Sequence, residues 1–262
     1  MNKKIYIAVI CAFSLLLTVS SGFLIKHYYD SHKQTEIYDS LAEIVDKTPD
    51  DTSEVLNYSG EKTFIPEYQE LYLENNDMVG WIKIDDTKIN YPVMQSKDNP
   101  NFYLKHGFDR KYTNYGCPYV QENCDMEQPS DNIVIYGHNM NDGSMFSALT
   151  KYKSKEFWES HKCITFDTLT DKQNYEVIAA FKTVVYTDNA DSFKYYQFVN
   201  AETAEEFNAY IGKCKELSLY DTELNAEYGD KLITLSTCEY SRANGRFVVV
   251  ARLVKEKPGR RS

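Results

Sequence analysis

Two β-branched, apolar runs stand almost back to back near the C-terminal end of the chain, Lys231 to Thr237 and Arg246 to Val254, with a polar, Gly-containing turn between them. Short runs rich in Val, Ile and Thr read as buried strands, and the polar stretch between them reads as the bend of a hairpin. Such a pair fixes the character of the fold, because two buried strands require a sheet around them. The first strand delivers Cys238 to the turn, and the second begins there with Arg246. Thiol and guanidinium therefore lie near the same end of the sheet. A guanidinium beside a thiol favours the nucleophilic thiolate and can hold a carbonyl oxygen on which negative charge develops.

A thiolate that attacks a carbonyl also needs a proton donor for the leaving group. Asn132 to Asn139 reads as another buried strand running out into a Gly-containing turn, with His138 at its end, and imidazole titrates near neutrality. Taken singly, a Cys or a His is more often an inert core or surface residue. Three such side chains, each where an apolar strand meets a turn, are a rarer coincidence, so Cys238, His138 and Arg246 form the candidate catalytic set. Ser236 and Thr237 are weaker candidates: either their hydroxyls touch substrate, or the two residues simply alternate between core and surface. Glu239 reads as a solvated strand-end carboxylate rather than a group that orients His138, and Tyr240 is undecided.

The rest of the chain sets the context. A net charge of −10 argues against nucleic acid, whose phosphates are gripped by clustered Lys and Arg. The 22 tyrosines and 13 phenylalanines supply apolar mass for a core. Ile5 to Ile25 is uncharged, preceded by Lys3 and Lys4 and closed by Lys26 and His27. That run is long enough to cross a bilayer as a helix, and its basic flank favours an inside N-terminus with the remainder exported. A cleaved signal peptide competes, since Ser20-Ser21-Gly22 offers small residues, but Phe23-Leu24-Ile25 carries the apolar run past that point. The expected organisation is a cytoplasmic residue stretch 1–4, a signal anchor over 5–25, an N-terminal helix and linker over 26–66, a catalytic domain over 67–256 and a tail over 257–262. Ile37, Leu41, Ile44 and Val45 share one helical face, and Asp46 to Glu61 reads as a polar connector.

Pro66 suits the first turn of a short helix with Tyr68, Leu71 and Tyr72 inward. Strands are expected at Val79 to Ile84, Ile89 to Val93, Ile133 to His138, Cys163 to Phe166, Tyr175 to Tyr186, Leu232 to Thr237 and Phe247 to Val254. So many short strands indicate a sandwich or barrel. Two helical insertions interrupt them. One covers Ser144 to His161, with Met145, Leu149 and Tyr152 in a stripe. The other carries Phe207, Tyr210, Ile211, Cys214 and Leu217 at helical spacing behind a Thr203/Glu206 capping box. Cys11 falls in the apolar run. Cys117 and Cys124 either bridge a short loop or remain thiols, and spacing does not choose between these. No Cys-x-x-Cys or His-x-x-x-His pairing marks a zinc site. The acidic stretches at Asp50-Asp51 and Glu202 to Glu206 lack the alternating oxygen pattern of a calcium loop, so no metal is expected.

Thr234-Leu235-Ser236-Thr237-Cys238 with Arg246 after it, together with Tyr136-Gly137-His138-Asn139, resembles the active site of the sortases, membrane-anchored cysteine transpeptidases of Gram-positive bacteria. The resemblance runs from about Tyr68 to Val254. Val79-Gly80-Trp81-Ile82, Tyr103-Leu104-Lys105-His106-Gly107 and Asp142-Gly143-Ser144-Met145-Phe146 are similar to the class B branch. It implies a mainly β fold with helical additions: a closed mixed β-barrel of about eight strands, N-terminal helices and a long helix before the Cys-bearing strand. It also implies a reaction of peptidase and acyltransferase type, in which Cys238 attacks a C-terminal sorting signal of a secreted protein at Thr. His138 then serves as general acid and base, and Arg246 positions substrate and oxyanion. The implied partners are secreted proteins carrying such a signal, of the Asn-Pro-x-Thr or x-Pro-x-Thr-Gly kind, and an amine acceptor on peptidoglycan or its lipid-linked precursor. The implied location is the cell membrane, with the catalytic domain outside, and no cofactor is implied. A hydrolytic cysteine protease, an L,D-transpeptidase and a tethered binding domain are the competing readings. The L,D-transpeptidase is disfavoured by the absence of its usual Ser-x-Gly-Cys context.

Overall fold

In the computed structural model, residues 3–47, 57–59, 62–185 and 193–255 are described. Most of the expected connector from Asp46 to Glu61, the tail 257–262 and Tyr186 lie outside them. In chain order the elements are α1 (Lys3–Lys47), β1 (Asn57–Ser59), β2 (Lys62–Thr63), α2 (Pro66–Glu74), β3 (Met78–Lys83), β4 (Asn90–Met94), β5 (Tyr119–Val120) and β6 (Asn132–Tyr136). They continue with α3 (Lys155–Ser160), β7 (Cys163–Thr168), β8 (Asn174–Val184), α4 (Ala204–Leu217), β9 (Leu232–Cys238) and β10 (Gly245–Leu253).

The chain divides into one unit up to Ser40 and a second from Leu41 onward. α1 is a single unbroken helix from Lys3 to Lys47, not a span followed by a separate helix. No Gly or Pro interrupts its polar half, and His32–Glu36 (3.3 Å) and Lys47–Glu43 (2.7 Å) pair one turn apart, which supports continuous helix. It contains a stretch long and apolar enough to cross a membrane. At its C-terminal end Leu41 is buried and Ile44 and Val45 are half-buried, the face that the spacing marks out.

In the second unit eight strands close on themselves in the order β10-β8-β7-β3-β4-β5-β6-β9. The barrel is mixed, since β4–β5 and β6–β9 pair in parallel while its other neighbours are antiparallel. Among the described residues, closure joins the first and last strands of the barrel sheet, which therefore has no terminal edge strand. β9 is buried at every position from Leu232 to Thr237. One reason is α4, whose Tyr210 hydroxyl lies 3.0 Å from Thr234 Oγ1, so the strand is covered on more than one side and lacks an exposed alternate face. Phe207, Ile211 and Cys214 of α4 are buried as well. Thr203 Oγ1 caps α4 by accepting from Glu206 N at 3.3 Å, while the Glu206 carboxylate accepts from Glu202 N at 2.9 Å. The reciprocal bond of the expected capping box thus closes one residue early.

The first insertion is not one helix. A 3₁₀ segment, Phe146–Lys153, runs into Ser154, whose hydroxyl caps α3 by accepting from Phe157 N; Met145, Leu149 and Tyr152 are buried as their stripe implies. β5 was not foreseen, because two residues carry no readable period. All six cysteines are free thiols, and Cys117 and Cys124 donate to different carbonyls, Pro92 O and Asn132 O, both at 3.5 Å.

α2 opens on Pro66 as expected and is tied to β7 by a buried bond from Tyr68 Oη to Asp167 Oδ2 at 2.7 Å. The other oxygen of Asp167 accepts from Gln173 N at 2.9 Å, and burial holds this carboxyl above its usual range. Tyr68→Phe removes one donor and leaves the acid in place. It is expected to destabilise the domain by about 1–3 kcal/mol, measured as a lowered denaturation midpoint.

Candidate active site

The β9–β10 register sets Arg246 directly opposite Cys238. Residues opposed in an antiparallel pair project from the same face of the sheet, so the Arg246 and Cys238 side chains leave the backbone side by side. On the other side of β9, the parallel pairing with β6 runs from Asn132↔Leu232 to Tyr136↔Ser236 and ends with Gly137 N donating to Ser236 O at 3.1 Å. His138 is thus the first side chain beyond the end of β6, and Cys238 is the last residue of the adjacent β9. Gly137 is required where it stands: a Cβ there would lie 2.5 Å from the Phe146 ring. The turn between Cys238 and Arg246 bends through Asn244 at φ 56, a left-handed position that Asn tolerates better than most residues. It brings Gly245 so close that a Cβ would meet Glu239 O at 2.3 Å.

Cys238, His138 and Arg246 line one cavity of about 480 Å³, together with Leu104, Tyr119, Tyr136, Tyr195, Ser236 and Thr237 among others. His138 Nε2 lies 2.8 Å from Leu104 O; a carbonyl only accepts, so Nε2 carries the proton in this bond. Burial pulls the His138 pKa below its usual value, with a smaller push the same way from Lys105 and a partial counter-effect from the Leu104 bond. Neutral imidazole is therefore the favoured resting form.

Ser236 and Thr237 are buried and their hydroxyls are engaged, Ser236 Oγ 2.6 Å from Tyr195 Oη and Thr237 Oγ1 donating to Gly137 O at 2.8 Å. Glu239 is not solvated. It is 7% exposed, accepts from Lys153 Nζ at 2.9 Å and Lys182 Nζ at 3.2 Å, and takes the Ser241 N–H and hydroxyl on its other oxygen. The bond from the Ser241 hydroxyl, followed by the lysines, holds its pKa at about 2. It anchors the turn instead of orienting His138. Sequence reasoning missed Tyr195 and Leu104, which no local pattern connects to the strands they meet.

A sortase-domain family model matches residues 82–254, a span that contains His138, Cys238 and Arg246. The chain belongs to the sortase family. This sortase is 34% identical over 250 residues to sortase B of Listeria monocytogenes, covering 92% of the chain and 96% of the relative. Among solved structures it is similar to sortase B of B. anthracis, with a TM-score of 0.73 at 32% identity over 87% of this chain and 100% of that one. It is equally similar in fold to the Staphylococcus aureus sortase B–substrate complex, with a TM-score of 0.73 at 27% identity over 87% of this chain and 100% of that one. The sortase is of class B and is a cysteine transpeptidase in its general reaction.

Proposed function

We propose that this sortase cleaves a C-terminal sorting signal of exported proteins after a Thr, holds the acyl group as a thioester on Cys238 and passes it to an amine of the cell wall. One observation carries the reading: Arg246 is registered opposite Cys238, His138 lies just past the end of the adjacent parallel strand, and all three line one cavity. Neutral His138 first takes the Cys238 thiol proton; the thiolate then adds to the Thr carbonyl carbon, and the charge that develops on oxygen is held by Arg246. The C–N bond then breaks as His138 gives a proton to the departing amine. In the second half, the acceptor amine adds to the thioester carbonyl, His138 takes a proton from it, and the thiolate leaves. Ser236 and Thr237 border the same cavity and would contact the bound signal. Residues 5–25 would anchor the chain with residues 1–4 inside, 26–66 leading outward, and residues 67–256 working outside the membrane.

The test is mass spectrometry of the full-length protein in detergent, incubated with Asn-Pro-x-Thr and x-Pro-x-Thr-Gly peptides, with and without a short amine acceptor. The expected result is an acyl adduct on Cys238 that moves to the amine. Release of acid alone in the presence of amine would favour a hydrolytic protease, and absence of any adduct would sink both readings.

Arg246→Ala is expected to lower kcat on the order of 10² to 10³-fold, the usual consequence of losing an oxyanion donor. Arg246→Lys should recover only part of this, because an ammonium cannot present a planar fork. Steady-state kinetics on the peptide would check both.

A further inference from the structure

The β6–β9 ladder stops before it reaches the two residues whose spacing matters. Backbone pairing ends with Gly137 N on Ser236 O, yet His138 and Cys238 both lie farther along. Side chains continue the connection. Thr237 Oγ1 donates to Gly137 O at 2.8 Å. Asn139 Nδ2 then donates to Cys238 O at 2.9 Å, and Tyr240 Oη donates to Asn139 O at 2.9 Å. The residue after the histidine thus holds the backbone of the cysteine, and the second residue after the cysteine holds the backbone of the residue after the histidine. The histidine turn is fixed on its far side too, where His138 O accepts from Phe146 N at 2.8 Å and Asn139 bridges Met145.

We propose that Asn139 and Tyr240 form a clasp that sets the separation of His138 from Cys238, making them positioning residues for the transpeptidation. Neither donates to the imidazole or the thiol, so they act through the backbone of the residues that carry the reacting groups. Tyr240 has little to do in the fold, since its ring is 70% exposed and its hydroxyl bond is what ties it to the histidine turn. Small errors in the placement of reacting groups are costly, as misplacement by about 1 Å can lower a rate by on the order of 10²-fold. The double clasp accounts for how His138, past the end of β6, keeps register with Cys238, at the end of β9, where the β6–β9 pairing no longer reaches.

The proposal rests on His138 and Cys238 being the reacting pair, and the test separates the two ideas. Tyr240→Phe and Asn139→Ala, singly and together, would be compared with the parent and with His138→Ala in the full-length protein. Peptide turnover is one readout. The other needs no peptide: the pH profile of Cys238 alkylation by iodoacetamide, followed by mass spectrometry of the Cys238-containing fragment. Each single variant is expected to lose kcat by about 10- to 100-fold with KM little changed. The double variant should lose scarcely more, because either break frees the same turn. The alkylation profile should shift toward that of His138→Ala while the denaturation midpoint of Tyr240→Phe stays at the parent value. A kcat within twofold of the parent, a loss carried by KM, or an alkylation profile superimposable on the parent's would overturn the clasp. A parent profile identical to that of His138→Ala would instead show that histidine and thiol do not communicate, and would overturn the catalytic pairing and the clasp together.

Discussion

Cys238→Ala is expected to abolish both adduct formation and turnover, leaving no activity above the uncatalysed rate, although five other thiols remain in the chain. Cys11 lies in the apolar run, Cys117 is buried and donates to Pro92 O, and the electrostatics of the other three explain why they give no rescue. Cys124 and Cys214 are buried, and loss of solvent raises their pKa values to about 11 and about 12, which leaves almost no thiolate near neutrality. Cys163 is exposed, but its pKa is also raised, first by partial burial and then by the carboxylate of Glu176. Cys238 differs in having Arg246 directly across the ladder and His138 just past the end of the neighbouring strand. The substitution removes one sulfur from a half-buried strand end, so the barrel should keep its denaturation midpoint. Peptide turnover and intact-protein mass spectrometry, with a melting curve alongside, check the three expectations together.

His138→Ala is expected to lower the rate of acyl transfer by about 10²- to 10⁴-fold, the usual range for a positioned acid–base group. The pH dependence tests the role more sharply than the loss itself. In transfer from the thioester, His138 must be neutral to accept the proton of the incoming amine. Burial lowers its pKa from the ordinary 6.5, so the neutral form persists into more acidic solution than for a free imidazole. Expressed per free, unprotonated amine, the transfer rate of the parent should decline as pH falls with a midpoint below the ordinary imidazole value. His138→Ala should show no such decline. Single-turnover transfer from a preformed Cys238 adduct measures this step, and a decline centred above the ordinary imidazole value would contradict the half-buried, neutral resting form.

What could be read from the sequence follows from the range of the interactions involved. The strand ends bearing His138, Cys238 and Arg246 were legible because β-branched runs and turn residues are local signals. The helix over Ala204–Leu217 was legible for the same reason, with period 3.6 in place of 2. The two-residue strand β5 was not, and neither was the unbroken course of α1, where a change from apolar to polar composition reads as an end although nothing in the backbone chemistry stops the helix. Glu239 was misread because exposure depends on Lys153 and Lys182, which reach it from a 3₁₀ segment and from β8. Tyr195, Leu104, Asn139 and Tyr240 meet their partners only across the closed barrel, and no window on the chain contains both ends of those contacts.

The parallel pairing of β6 with β9 also sets the order in which the site comes into being. Cys238 and Arg246 are joined by a short hairpin and can meet as soon as that hairpin forms, whereas His138 reaches them only after β7, β8 and α4 have been accommodated between β6 and β9. Closing so long a loop is entropically costly and belongs to the late, slow part of folding. Until the barrel closes, Cys238 does not have His138 beside it. The newly made chain therefore passes through its most exposed period with the site unassembled, and the three side chains share one cavity only once the chain is folded.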